Sequence, residues 1–477
     1  MLRVDFYKVL FCQLKCYYSV NSRPFFTKKS LHSYNFHYDS RFVKLHIQNC
    51  YFQESRSCAA KMVEIDLKFE KVFKISTISL RLNGSHPSVV HDTWWKVRFS
   101  IIMMNTFFCC VFLLYSIFYH DIKTGKFAEA SKNGTMVIVS LTITLKYFVL
   151  LYNEESIKVL ISIVEKDYDT VHESKEDKDI VVQFAKRGVT VCKFWLVFGF
   201  GTSAIFPIKA FFLMAYYYCK GEFELVPLFD LTYPEPIEGF KNLTIIFWTL
   251  FIVTFVFDAY ASSMYVGFDP MVPIFMLHIC GQLELLSLRI RKLFVEAKDS
   301  KEIEEGLKKI ISKQQDLYKL VDRVKANFSI LYEYNMKATT FLLPLTTFQI
   351  VEDLRDKRIN VEFISFFVGC ILHFFMPCYY SDLLMETSEK FRQAIYSCSW
   401  ENCPDKRIRQ IVLFMLMRAR IPMGITTVFY VINLDTFAEV GFVAFFWRTR
   451  VKSYALSWCL SKIEILKYFS RSLLKNI

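Results

Sequence analysis

The fold class predicted is an all-α, polytopic membrane protein with seven transmembrane helices, a cytoplasmic N-terminus and long helices extending into a cytosolic anchor bundle. Three observations lead there. Of the 477 residues, 53% are hydrophobic and 17% aromatic, more than a water-soluble domain usually carries. The apolar residues stand in long blocks rather than at amphipathic spacing, the pattern of helices that face lipid. The net charge of +13 sits between those blocks, which separates a membrane protein with basic loops from a nucleic-acid binder.

Seven spans are expected, at about 97–119, 135–152, 190–218, 243–269, 335–351, 361–385 and 423–447. Lys plus Arg number about 16 before the first span and then about 3, 6, 2, 12, 3 and 7 in the successive connections. Basic residues are retained on the cytoplasmic side, so this alternation places the N-terminus inside. That orientation, and the lack of DRY and NPxxY sequences, argue against a G-protein-coupled receptor. No inverted repeat or pair of broken helices suggests a transporter.

Residues 1–61 are basic and aromatic without a clear period; Gln13 and Lys15 interrupt the only apolar run, so it does not read as a signal-peptide core. They are expected to be an atypical extension, with translation from Met62, and 62–96 to form a cytoplasmic lead-in. Trp94, Trp95, Lys96 and Arg98 mark the membrane interface of the first span. In the third span Gly199, Gly201 and Pro207 loosen the helix or allow close packing. Pro227, Pro234 and Pro236 shape the loop that follows it. The run from Leu243 through Phe294 would be about 78 Å long as one helix, against about 30 Å of hydrocarbon, so Asp269-Pro270 and Pro273 should kink it. Ile303, Leu307, Ile310, Gln314, Leu317, Val321, Val324 and Phe328 form a heptad seam with one polar member. The seam must be buried, either within one subunit or between subunits. The fifth span has only about 14 uncharged residues and contains Pro344; it is retained because the basic segments on either side of it must share one face. A basic helix after Pro404 ends at Pro422 and feeds the last span.

Little here suggests an enzyme. There is no nucleophile elbow, phosphate loop or zinc spacing, and Cys398 with Cys403 lacks a second pair, so no metal, cofactor or catalytic residue is expected. His278 and His373 read as packed helix residues. Lys146, Lys209 and Asp258 are ionisable groups inside spans, which makes them functional candidates unless they snorkel or pair within the bundle. Asp435 and Glu439, one turn apart at the entry of the last span, suit a helix N-terminus. The sequons at Asn133 and Asn242 lie at expected external edges; those at Asn83 and Asn327 lie on the inner side.

Two stretches carry a resemblance. Ala394-Ile395-Tyr396, Trp400, the basic helix and Asn433-Leu434-Asp435-Thr436-Phe437 form one; Leu277-His278-Ile279-Cys280-Gly281-Gln282-Leu283-Glu284-Leu285-Leu286 forms the other. Together they closely resemble the signatures of insect odorant receptors, over about Met62 to Val440. The resemblance implies a tuning subunit that forms a hetero-tetramer with the odorant receptor co-receptor, assembled through the cytosolic anchor. It implies that a small volatile odorant gates a non-selective cation channel in the plasma membrane of olfactory sensory neurons. It places the odorant among the second, third, fourth and sixth spans, where the candidates are Thr144, Tyr147, Phe148, Phe206, Phe211, Phe257, Tyr260, Phe363 and Phe367. The ion pathway would be lined by the last span, at Phe437, Val440, Ala444 and Arg450. After Val440 the chain departs from the family pattern: the family's apolar gate falls on Arg448 to Tyr454, where arginine would wet the constriction and repel cations. A replaced C-terminus and a conduction-defective isoform are therefore expected.

Overall fold

The computed structural model describes residues 68–440 except 171–174, 356, 358, 359 and 428, and all regular structure among them is helical. The amphipathic helix α1 (Lys74–Leu82) precedes the first long helix. Its Ser76 hydroxyl donates to the Gly267 carbonyl at 2.5 Å. A methyl at Gly267 would lie 2.9 Å from Leu80, so glycine is what allows this close crossing. Helix α2 (Thr93–Tyr115) starts where the Asp92 carboxylate accepts the Trp95 amide at 2.7 Å. It ends in a wider π turn, Ser116–Asp121.

Helix α3 (Phe127–Tyr152) returns beside it and is followed by the amphipathic α4 (Glu154–Asp169). Helix α5 (Lys175–Lys220) runs 46 residues through Pro207. The predicted break at Asp269-Pro270 separates α6 (Thr244–Phe268) from α7 (Met271–Glu296). Helix α8 (Ser300–Arg355) runs 56 residues, about 84 Å at helical rise, so most of it lies beyond any bilayer core. It gives way to α9 (Val361–Tyr396) and then α10 (Lys406–Arg418).

Five helical stretches are long and apolar enough to cross a membrane: Thr93–Asp121, Phe127–Tyr152, Lys175–Lys220, Thr244–Glu296 and Val361–Asn402. These contain five of the seven expected spans. The expected span 335–351 is helical as part of α8, but α8 is not among the five. Its inward face includes Thr339, Thr346 and Gln349, all buried, and it packs on α3. Polar side chains are tolerated there because protein, not lipid, surrounds them.

The expected last span begins differently from its reading as a continuous run from residue 423. Residues 421–433 are irregular, with an isolated antiparallel bridge between Thr426 and Val431, and helix resumes at 434–440. Pro422, Gly424 and a β-branched run disfavour helix, and α9 supplies acceptors: the amides of Met423 and Ile425 donate to the hydroxyls of Ser388 (3.1 Å) and Ser381 (2.9 Å).

From Leu307 to Phe328 the heptad seam is buried within this one chain, and Ile303 at its start is partly buried. Leu307, Val324 and Phe328 are 0% exposed, and α8 packs there against α4, α7 and α10. Asp167 of α4 ties the bundle together, bonding His278 of α7 at 2.9 Å and the Lys313 ammonium of α8. Burial works to raise the Asp167 pKa, but the bond and charge of His278 and the charge of Lys313 hold it below the usual carboxylate range.

Candidate functional site

At the end of the bundle where α2 turns into α3 and α8 gives way to α9, the segment joining α5 to α6 folds inward. Its Leu228, Phe229, Leu231 and Tyr233 are buried. Polar contacts fix this fold: the Thr232 amide donates to Ser116 Oγ of the π turn at 3.2 Å. Asn133 Nδ2 donates to Asp121 Oδ2 at 2.8 Å and to Ser116 Oγ at 3.3 Å. The Asn133 sequon is therefore occupied by packing, the residue being 2% exposed; the Asn242 side of the segment stays exposed.

Beneath this segment is a cavity of about 210 Å³ between α3, α5 and α9. That is room for at least about seven waters at ~30 Å³ each, the size of a small volatile molecule. Met136, Phe206, Phe229 and Phe363 supply apolar walls. Phe206 meets Phe229 edge-on at 5.4 Å, closing one side.

The remaining wall is charged. The Lys132 ammonium lies 2.8 Å from Asp230 and 3.5 Å from Glu129, and 5.7 Å over the Phe363 ring. Lys209 reaches Glu362 at 3.0 Å, and Glu362 is only 5% exposed. Partial burial works to raise the Asp230 pKa, but the charge and hydrogen bond of Lys132, with the charge of Lys209, hold it low, so it stays ionised at neutral pH.

Of the residues expected at the ligand site, Phe206 and Phe363 line this cavity. Tyr147 (1% exposed), Phe257 (2%) and Tyr260 (5%) are buried in the core, where Tyr147 stacks on Phe99. No lining residue comes from α6. Phe148 and Phe211 are about half exposed on the outer surface, the position of lipid-facing side chains. The Thr144 hydroxyl is taken by its own helix, donating to the Ser140 carbonyl at 2.8 Å. Phe367 packs on Leu342, Leu343 and Cys370. Phe437 contacts Phe374 and Phe375 of α9, and Val440 packs against the core; Ala444 and Arg450 lie outside the described residues. Lys132, Asp230 and Glu362 were not expected at the site. Only Lys209 carried a signal, as an ionisable residue inside a span.

Deeper in the bundle, about 21 Å along α3 from Lys132, Lys146 is 0% exposed. Its ammonium bonds Asp269 at 2.5 Å and His373 at 3.1 Å, and caps the Tyr265 ring at 3.7 Å. One buried cluster thus joins α3, the α6–α7 break and α9. Asp258 is likewise paired, accepting from Ser203 Oγ at 2.5 Å.

Comparison with known proteins adds the following. A family model described as 7tm Odorant receptor matches residues 126–445. Odorant receptor 13a of Drosophila melanogaster is 27% identical over 214 residues, 40% of this chain and 51% of that receptor, so this match spans about half of it. Odorant receptor 10a of the same organism is 20% identical over 396 residues, 79% of this chain and 93% of its own. The structure of the insect olfactory receptor OR5 from Machilis hrabei superposes with a TM-score of 0.66 at 15% identity, covering 80% of this chain and 98% of that one. The same receptor in complex with eugenol gives 0.62 at 16%, covering 79% and 96%.

Proposed function

Since the chain belongs to the insect odorant receptor family, through the match over residues 126–445, we propose that it is a tuning subunit that binds a small volatile molecule in the cavity between α3, α5 and α9. The observation that carries this reading is the cavity itself: it is roofed by a folded-in segment and walled by Phe206 and Phe363, and its volume suits a volatile compound. Binding would pay off only by favouring one arrangement of the surrounding helices, because a ligand shifts an equilibrium by its differential affinity for the two states. Helix α9 is the natural carrier of that shift. It contributes Phe363 to the cavity, His373 to the buried cluster, and the rings that contact Phe437.

In this proposal the subunit pairs with the odorant receptor co-receptor in the plasma membrane of olfactory sensory neurons, and the assembly conducts cations. Support for the ligand comes from the Machilis relative solved with eugenol. The test is whole-cell current from the full chain co-expressed with a co-receptor, challenged with an odorant panel. Ligand-evoked current that Phe206→Ala and Phe363→Ala both shift in concentration dependence supports the site. Current that neither substitution alters removes it. Replacing the residues after Val440 by a family-like apolar end should raise the current, because Arg450 falls at the expected gate; equal currents would count against the conduction-defective reading.

A further inference from the structure

The cavity does not look like a site for pure hydrocarbon. Two ammonium groups and two carboxylates share a space of about 210 Å³ with the aromatic walls. The two ion pairs differ in how easily they open. Lys209 and Glu362 are both carried on long helices, and the ammonium bonds both carboxylate oxygens, at 3.0 and 3.1 Å. Lys132 is also on a helix, with its side chain 11% exposed, but Asp230 sits in the irregular segment between α5 and α6, with its side chain 60% exposed. Moving Asp230 aside costs little, since its carboxylate can complete its hydration outside. Moving Lys132 instead would draw a largely buried side chain out of the wall of α3 and leave Asp230 with only the more distant Lys209 charge.

When Asp230 withdraws, Lys132 is left facing the cavity without a hydrogen-bonded carboxylate, with Glu129 3.5 Å away and 41% exposed and the Glu362 charge farther along the wall. Lys209 adds a second positive charge nearby, and the Glu362 carboxylate is then shared between the two ammonium groups. The group that best replaces Asp230 is therefore another carboxylate. Its alkyl chain would lie against Phe206, Met136 and Phe363, which supply no hydrogen-bonding groups.

We propose that the cavity selects short-chain volatile carboxylic acids, whose carboxylate takes the place of Asp230 on the Lys132 ammonium. This rests on the odorant-site reading above and narrows it to a ligand class. A six-carbon acid has eight heavy atoms, which suits a cavity holding at least about seven waters. In this arrangement Asp230 is a built-in competitor that pairs with Lys132 in the empty site and is released when the ligand enters, freeing the roof segment.

The experiment uses the purified full chain in detergent and reads thermal stabilisation by hexanoate, hexan-1-ol and hexylamine. Hexanoate is expected to act at about tenfold lower concentration than the other two, the size of effect one charge-assisted hydrogen bond gives. Lys132→Met should abolish that preference while hexan-1-ol still binds. Lys132→Arg, which keeps the charge, should retain it and controls for misfolding. Asp230→Asn should strengthen hexanoate binding several-fold by weakening the competitor. Equal action of hexanoate and hexan-1-ol, no action of hexanoate, a stronger effect of hexylamine, or indifference of Asp230→Asn would each overturn the proposal and leave the odorant site standing. Hexanoate stabilisation that survives both Phe206→Ala and Lys132→Met would place the ligand elsewhere and overturn the site reading as well.

Discussion

Replacing Lys146 by methionine is the sharpest test of how the bundle is held together. Lys146 is 0% exposed and its ammonium stands 2.5 Å from Asp269. At that separation the gross Coulomb attraction is about 7 kcal/mol for an effective dielectric of 20, most of it offset by the desolvation both ions suffer on burial. Methionine fills similar space, so the loss comes from stranding Asp269 in the interior, where only His373, 3.4 Å away, remains. Stranding one member of a buried pair costs about 3–5 kcal/mol. The assay is fluorescence-detected thermal unfolding of the detergent-solubilised full chain, with surface expression as a second readout. Lys146→Met should unfold well below the wild type, and Lys146→Met combined with Asp269→Leu should recover much of the loss, since an apolar pair of similar volume is often neutral. A single variant as stable as the wild type, or a double variant as unstable as the single, would refute the claim that this ion pair clamps α3 to the α6–α7 break.

Other outcomes follow from the same packing. Phe328→Ala, at a seam position 0% exposed, should cost about 3–5 kcal/mol in the same unfolding assay. Gly267→Ala places a methyl 2.9 Å from Leu80 and should cost about 1–3 kcal/mol through overpacking, with Leu80→Ala partly restoring stability. His86 is held neutral, its pKa pushed down to about 4 by burial, by the Arg81 charge nearby, and against the opposing pull of Glu70. Its stabilisation is complete above the unfolded value near 6.5 and is lost as pH falls toward 4; His86→Gln should flatten that part of a stability-versus-pH profile. Asp167, held below the usual carboxylate range, contributes stability above pH ~4 that is lost on further acidification, and Asp167→Asn should remove that limb.

Much of this architecture was legible in one dimension. Five of the seven apolar blocks, the proline break after Asp269 and the seam from Leu307 to Phe328 each rest on local composition or period, and each appears where the chain predicts it. The short stretch at 335–351 was harder, because its polar side chains reflect shelter by α3 rather than exposure to water. The break before residue 434 was partly legible: Pro422 was read as a stop, but the serine hydroxyls of α9 that satisfy the next backbone amides were not visible from sequence.

The candidate site was legible only in its aromatics, and even there the rotation of each helix separated Phe206 and Phe363 from Phe148 and Phe211. A span that is apolar nearly all round does not encode which side faces its neighbours. Sequence alone therefore determined that this chain is a bundle of membrane helices with long water-exposed extensions, since hydrophobic block length depends only on adjacent residues. Tertiary structure decided which charges meet. Lys132 and Asp230 are 98 residues apart, Lys146 and Asp269 123, and Lys209 and Glu362 153. Such pairs form only when helix crossing and the folded-in segment bring their ends within a few ångströms, because charge attraction acts through space and not along the chain.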